Sequence, residues 1–130
     1  MSSANVEIVR RAFGHFIETG EPDWELTHPQ VLIVDHDIMD AGEYRGLDGV
    51  HRWVSDWSTA WSVFTMDPEE IIDAGDCVVV IIRMKATGAA SGIEIERQDG
   101  LVYRLSDGKV IRVDYFNSAD QARREAGLPS

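Results

Sequence analysis

Cysteine occurs once in the 130 residues, at Cys77. A single thiol excludes an intrachain disulfide and a thiolate zinc cluster. Because Cys77 opens the apolar run VVVII, it is expected to be a buried, inert side chain. Basic residues are also few, 12 against 23 acidic, and a formal net charge of −11 repels phosphate backbones and anionic lipid. Neither nucleic acid nor a membrane surface is an expected partner. There is no run of about 18 apolar residues, so no membrane-spanning helix is expected. The start, MSSANVEIVRR, lacks the basic segment and apolar core of a secretory signal, which makes the cytoplasm the expected location. Nucleotide-binding GxGxxG and P-loop patterns are missing, as is the GxSxG of serine hydrolases. His15, His28 and His51 supply no HExxH or similar ligand spacing, so neither a metal nor a cofactor is expected.

What is present is the composition of a folded domain, 44% hydrophobic and 27% charged. A chain of this length buries about two-thirds of its unfolded surface, enough for one core, and residues 1–130 read as a single domain without repeats or linkers. Val6, Val9, Ala12, Phe13, Phe16 and Ile17 recur at helical spacing and stop at Gly20. Residues 22–28 are expected to form a short second helix, with Pro22 in its first turn and Trp24 and Leu26 to bury. Val31 to Asp37 reads as a strand, and Tyr44 with Arg45 as a short return strand. From about Leu47 to Trp61, Val50, Trp53, Val54, Trp57, Trp61 and then Phe64 form one helical stripe.

Strand patterns follow: a weak one around Ile71, then CVVVIIRMKA, GIEIERQ, LVYRL and KVIRVDYF, separated by glycines that include Gly88, Gly92, Gly100 and Gly108. The run VVVII is expected in a middle strand covered on both faces. A last helix is expected to begin at Ser118, which can cap it, and to stop at Gly127. The order describes an α+β domain whose curved sheet wraps around its helices into a cone, with a pocket at the mouth. In such an arrangement helices cover the concave face only, so the outer face needs a partner or a polar coat, and a homodimer is expected.

Chemistry concentrates in VDHDIMD, residues 34–40. Alternate residues of a strand share a face, so Asp35 and Asp37 project with Ile33 while His36 projects the other way. The three cannot converge on one metal without a bulge. Two readings of the aspartates stand: carboxyls facing the cone, where burial and mutual repulsion make an acid or base, or a solvated strand end. Trp53, Trp57 and Trp61 are core or pocket wall, and Tyr103 and Tyr115 either donate a hydrogen bond into a pocket or bury their rings with the hydroxyl in water. Arg83 and Lys85 are expected to pair with Glu94 or Glu96 across a hairpin as a surface ladder.

Taken in order, DHD, YRGLDGV, the tryptophan helix, DAGDCVVVIIR, SGIEIE, YRLSDGKVIRV and EAGL resemble the SnoaL-like proteins. These belong to the cystatin-like cone superfamily of nuclear transport factor 2, ketosteroid isomerase and limonene epoxide hydrolase. The resemblance covers nearly the whole chain and implies the cone fold. It also implies a catalytic role for Asp37, the position matching the proton-transferring aspartate of the isomerases, beside which Asp35 stands as the second candidate acid that alternation on the strand supplies. The two enolate-holding donors of those isomerases fall on Phe16 and Leu101, which cannot donate. Leu101 also replaces the acid of SnoaL-type cyclases. The DYF segment, Asp114 to Phe116, echoes the hydrolases one residue out of step, which places Tyr115 inward instead of Asp114. The resemblance therefore implies a small, apolar organic ligand lined by Phe16, Trp24, Trp53, Trp57, Leu101, Tyr103 and Tyr115. Metal-free proton transfer of isomerase, cyclase or hydrolase type and binding without chemistry both remain open.

Overall fold

The computed structural model describes residues 2–36 and 42–129. Its elements are α1 (Ser2–Thr19), β1 (Thr27–Asp35), β2 (Glu43–Arg45), α2 (Gly46–Ala60), β3 (Trp61–Asp73), β4 (Val78–Gly88), β5 (Glu94–Ser106), β6 (Lys109–Phe116) and α3 (Ala119–Glu125). The strands form one open sheet in the order β2-β1-β6-β5-β4-β3. Only β1 and β6 run parallel; the other neighbours are antiparallel. This is the expected α+β curved sheet, with the second half of the chain as a meander.

Strand alternation divides the sheet's apolar residues between two cores. Val78, Val80 and Ile82 of β4 join the larger cluster, which holds Val9 and Phe13 of α1 and Val50, Trp53 and Trp57 of α2. Cys77, Val79 and Ile81 point the other way, into a smaller cluster with Ala119 and Ala122 of α3. VVVII is therefore covered on both faces, each of its residues at most 1% exposed. Burial also pushes the Cys77 thiol above its usual pKa. The expectation that helices cover only the concave face is corrected here, because α3 packs on the opposite face.

Three further expectations change. Residues 22–28 do not form a helix: Asp23 caps a turn by accepting from the Glu25 amide at 3.1 Å, and the Leu26 carbonyl is claimed by Val110 N at 2.8 Å, which draws the segment into the sheet beside β6. The weak strand around Ile71 is the 13-residue β3. Its pattern was faint because β3 is an edge strand, mostly exposed, with Pro68 at a register irregularity that an edge tolerates. GIEIERQ and LVYRL are one strand, β5, running through Gly100. A Cβ at Gly100 would lie 2.4 Å from the Ala122 Cβ, so the glycine admits α3 rather than breaking the strand. At the far end Ser118 caps α3 as expected, its hydroxyl accepting from the Gln121 amide.

Candidate functional site

The interior of the cone is organised by Asp35, the last residue of β1. Ile33 and Val31, two and four positions back, belong to the inner core, and Asp35 follows them inward to complete burial, 0% exposed. This removes the solvated reading for Asp35. Trp53 and Trp57 lie four residues apart on α2, on one side of the helix. Both indole N–H groups donate to the same Asp35 oxygen at 2.7 Å. An apolar strand end and an amphipathic helix are thus tied by polar bonds made where water is excluded.

Tyr115 stands opposite Asp35 in the parallel β1–β6 register and is fully buried. Its ring meets Trp57 edge-on at 5.1 Å and Trp53 at 6.3 Å. Its hydroxyl donates to Asp99 of β5, which is itself 0% exposed. The other Asp99 oxygen accepts from Arg97 Nε at 2.8 Å. Asp99 and Arg97 were missed in the sequence, although a signal existed: Leu101 and Tyr103 face inward, and counting back by two along one strand places Asp99 and Arg97 on that same face. The acid absent at Leu101 thus has an inward-facing counterpart one pleat away.

Next to this polar centre lies an apolar cleft with about 460 Å³ of empty space, counting the part that opens to solvent. Phe16, Val31, Val50, Trp53, Leu101 and Tyr103 are among its lining, and among the described residues no charged side chain is. Phe16 stacks on Trp53 at 5.7 Å and 14°. Behind that stack a second apolar cleft is walled by Phe16, Trp53, Trp57, Phe64 and Met66. Of the sequence-predicted pocket residues, Phe16, Trp53, Trp57, Leu101 and Tyr103 therefore line clefts. Trp24 packs against the inner core and lines neither cleft, because its segment is a turn, not a helix facing the cone. Tyr115 lines neither, being sealed beneath the two indoles. Asp37 lies outside the described residues.

His36 faces away from Asp35, stacked on Phe116 at 4.4 Å, with Nε2 3.6 Å from Asp114. Arg112 Nε donates to Asp114 at 2.7 Å, and this bond raises the arginine's pKa. Asp114 belongs to the outer face while Tyr115 points inward, as the shifted DYF spacing implied. Arg83 sits in the expected ladder on the outer face, 3.8 Å from Glu96 and 3.4 Å from Glu69. At the rim, Tyr44 donates to Asp56 at 2.6 Å and pins β2 to α2. Its pKa is pushed up to about 12, first by burial and then by that carboxyl.

The fold is that of a large group of solved structures. One is a protein of unknown function from Burkholderia pseudomallei, like nuclear transport factor 2, at TM-score 0.76 and 21% identity, covering 93% of this chain and 95% of that one. A second, TerC co-crystallised with polyporic acid, superposes at TM-score 0.74 and 21% identity over 95% of this chain and 98% of its own. A third, a candidate SnoaL-like polyketide cyclase from a Jannaschia species, gives TM-score 0.70 and 22% identity over 98% and 94%. No curated protein matches the sequence. The SnoaL-like domain family matches residues 22–113, from the turn before β1 to the inward-facing Val113 of β6, and the chain belongs to that family.

Proposed function

We propose that the chain takes up a small, uncharged, mostly apolar organic molecule in the cone between α1, α2 and the sheet. The observation that carries this reading is the cleft itself, whose described lining is aliphatic and aromatic apart from Thr27 and holds no charged side chain. An ion transferred there would lose its hydration with nothing to replace it, whereas an apolar molecule gains burial. Two relatives in fold, one crystallised with polyporic acid and one a candidate polyketide cyclase, support an organic ligand. The test is indole emission during titration with graded apolar molecules, because Trp53 walls the cleft. Saturable quenching is expected with neutral compounds and not with charged analogues of equal size.

A second reading, proton-transfer catalysis without cofactor or metal, is favoured by Asp99, a second inward carboxyl hydrogen-bonded to Tyr115. Asp37 is then the residue proposed to move the proton, in an isomerase, cyclase or hydrolase reaction. Asp35, with an oxygen held by two indoles, supports the site by positioning them. On an identified substrate, Asp37→Asn should lower turnover about 10²- to 10⁴-fold, the usual worth of a positioned acid or base. Unchanged turnover would remove the catalytic reading and leave the binding one. The proposal also includes a homodimer. On the outer face beyond α3, Val63, Thr65, Lys85, Glu94 and Glu96 border one depression, so a twofold pairing can set unlike charges opposite each other.

A further inference from the structure

We infer that Tyr103 orients the ligand, its hydroxyl donating to one uncharged acceptor oxygen, a carbonyl, ester or ether, of an otherwise apolar molecule. The inference rests on the binding reading above and names the class of molecule that the cleft selects. Tyr103 is 6% exposed and lines the cleft on β5, two residues beyond Leu101. Among the described residues its hydroxyl has no hydrogen-bond partner and, since no fully buried side-chain atom is left unpaired, it opens onto the cleft, while Tyr44 and Tyr115 are committed to Asp56 and Asp99. Trp53, which shares the cleft, has likewise spent its N–H on Asp35. Among the described residues Tyr103 and Thr27 are then the polar side chains left in the lining.

A hydroxyl that opens onto an apolar cleft and is bonded to no side chain is free to donate, and a ligand acceptor that enters the cleft takes that hydrogen bond. Burial also raises the pKa of Tyr103, so the group stays a neutral donor across the ordinary pH range. A donor alone, with no cation among the described lining residues, selects a neutral acceptor over a carboxylate. The ligand class is therefore narrower than an apolar molecule of suitable size: one acceptor oxygen, flanked by hydrocarbon that reaches toward Phe16 and Trp53.

The experiment compares menthone, camphor and cyclohexanone with their parent hydrocarbons, menthane, camphane and cyclohexane, by calorimetry on the wild-type chain, Tyr103→Phe and Thr27→Val. At least one ketone should bind about 3- to 10-fold more tightly than its hydrocarbon, the usual worth of one hydrogen bond. Tyr103→Phe should abolish that preference while leaving hydrocarbon affinity unchanged, and Thr27→Val should keep it. The ligand-free Tyr103→Phe protein should unfold at the same denaturant concentration as wild type, since no internal hydrogen bond has been removed. A preference that survives Tyr103→Phe, that disappears in Thr27→Val, or that never existed overturns the role of Tyr103 and leaves the apolar cleft standing. So does a clear loss of stability in Tyr103→Phe, which would mean that the hydroxyl serves the fold. If neither ketones nor hydrocarbons bind up to their solubility, the binding reading falls together with this one.

Discussion

Asp35 and Trp53 are 18 residues apart in sequence, and a carboxyl oxygen of one lies 2.7 Å from the indole nitrogen of the other. Trp57 reaches the same oxygen, so one side chain of β1 fixes the rotation of α2 against the sheet. Asp35→Ala would strand two buried N–H donors at about 1–3 kcal/mol each, and a total loss of about 2–6 kcal/mol is expected in denaturant unfolding. Trp57→Phe should cost less in the Asp35→Ala background than in the wild type, which a double-mutant cycle measures. Additive effects would show that the aspartate and the indoles are not coupled.

The contact between β5 and α3 makes a reciprocal prediction. Gly100→Ala pushes a methyl to within 2.4 Å of the Ala122 Cβ, so it should destabilise by about 1–3 kcal/mol through overpacking. Adding Ala122→Gly should recover part of that loss, read from the same unfolding midpoints. A Gly100→Ala protein of full stability would mean that α3 does not sit this close.

Alkaline pH isolates the rim. Tyr44 has its folded pKa raised to about 12, against about 10 when unfolded. The native state then holds the proton more tightly, so its contribution is complete below about pH 10 and is lost as pH rises through about 12. The unfolding midpoint should fall over that window, and Tyr44→Phe should fall less steeply. Tyr103, raised in the same direction, leaves a residual slope in that variant.

The proposed homodimer is testable by sedimentation at micromolar concentration, where a mass twice 14.5 kDa is expected. Lys85→Glu, which reverses the one positive charge bordering the outer depression, should shift the equilibrium toward the monomer. A wild-type chain that sediments as a monomer contradicts the proposal.

The fold was legible wherever one period dominated. The tryptophan stripe of α2 as far as Trp57, the run from Val78 to Ile82 and the Ser118 cap all announced themselves, because each makes a local demand that the tertiary structure also meets, whereas Trp61 and Phe64, which continue the helical spacing, belong to β3. Residues 22–28 misled because Pro22 with Trp24 and Leu26 satisfies a helical pattern, while the sheet offered Leu26 and Val110 a stronger claim on the same backbone groups. Gly100 was read as a breaker because the helix that needs its missing side chain lies about 20 residues ahead. The site was half visible. Alternation along VDHD set Asp35 on one face with Ile33 but left open whether that face met the cone or water, and gave no sign that two indoles would claim its carboxyl. Asp99 was hidden by attention to position 101, where the family places its acid, although the pleat carried it to the same face.

The central claim, that the cone binds a neutral apolar molecule against Trp53, is tested most directly by the four indole N–H resonances, those of Trp24, Trp53, Trp57 and Trp61. In the free protein, the Trp53 and Trp57 signals should be shifted downfield and protected from exchange by their bonds to Asp35, and both features should disappear in Asp35→Ala. During titration with menthone the Trp53 resonance should move saturably, while that of Trp24, which lines neither cleft, stays in place. A Trp53 signal that is unmoved at the solubility limit, or that moves no more than Trp24, contradicts the account.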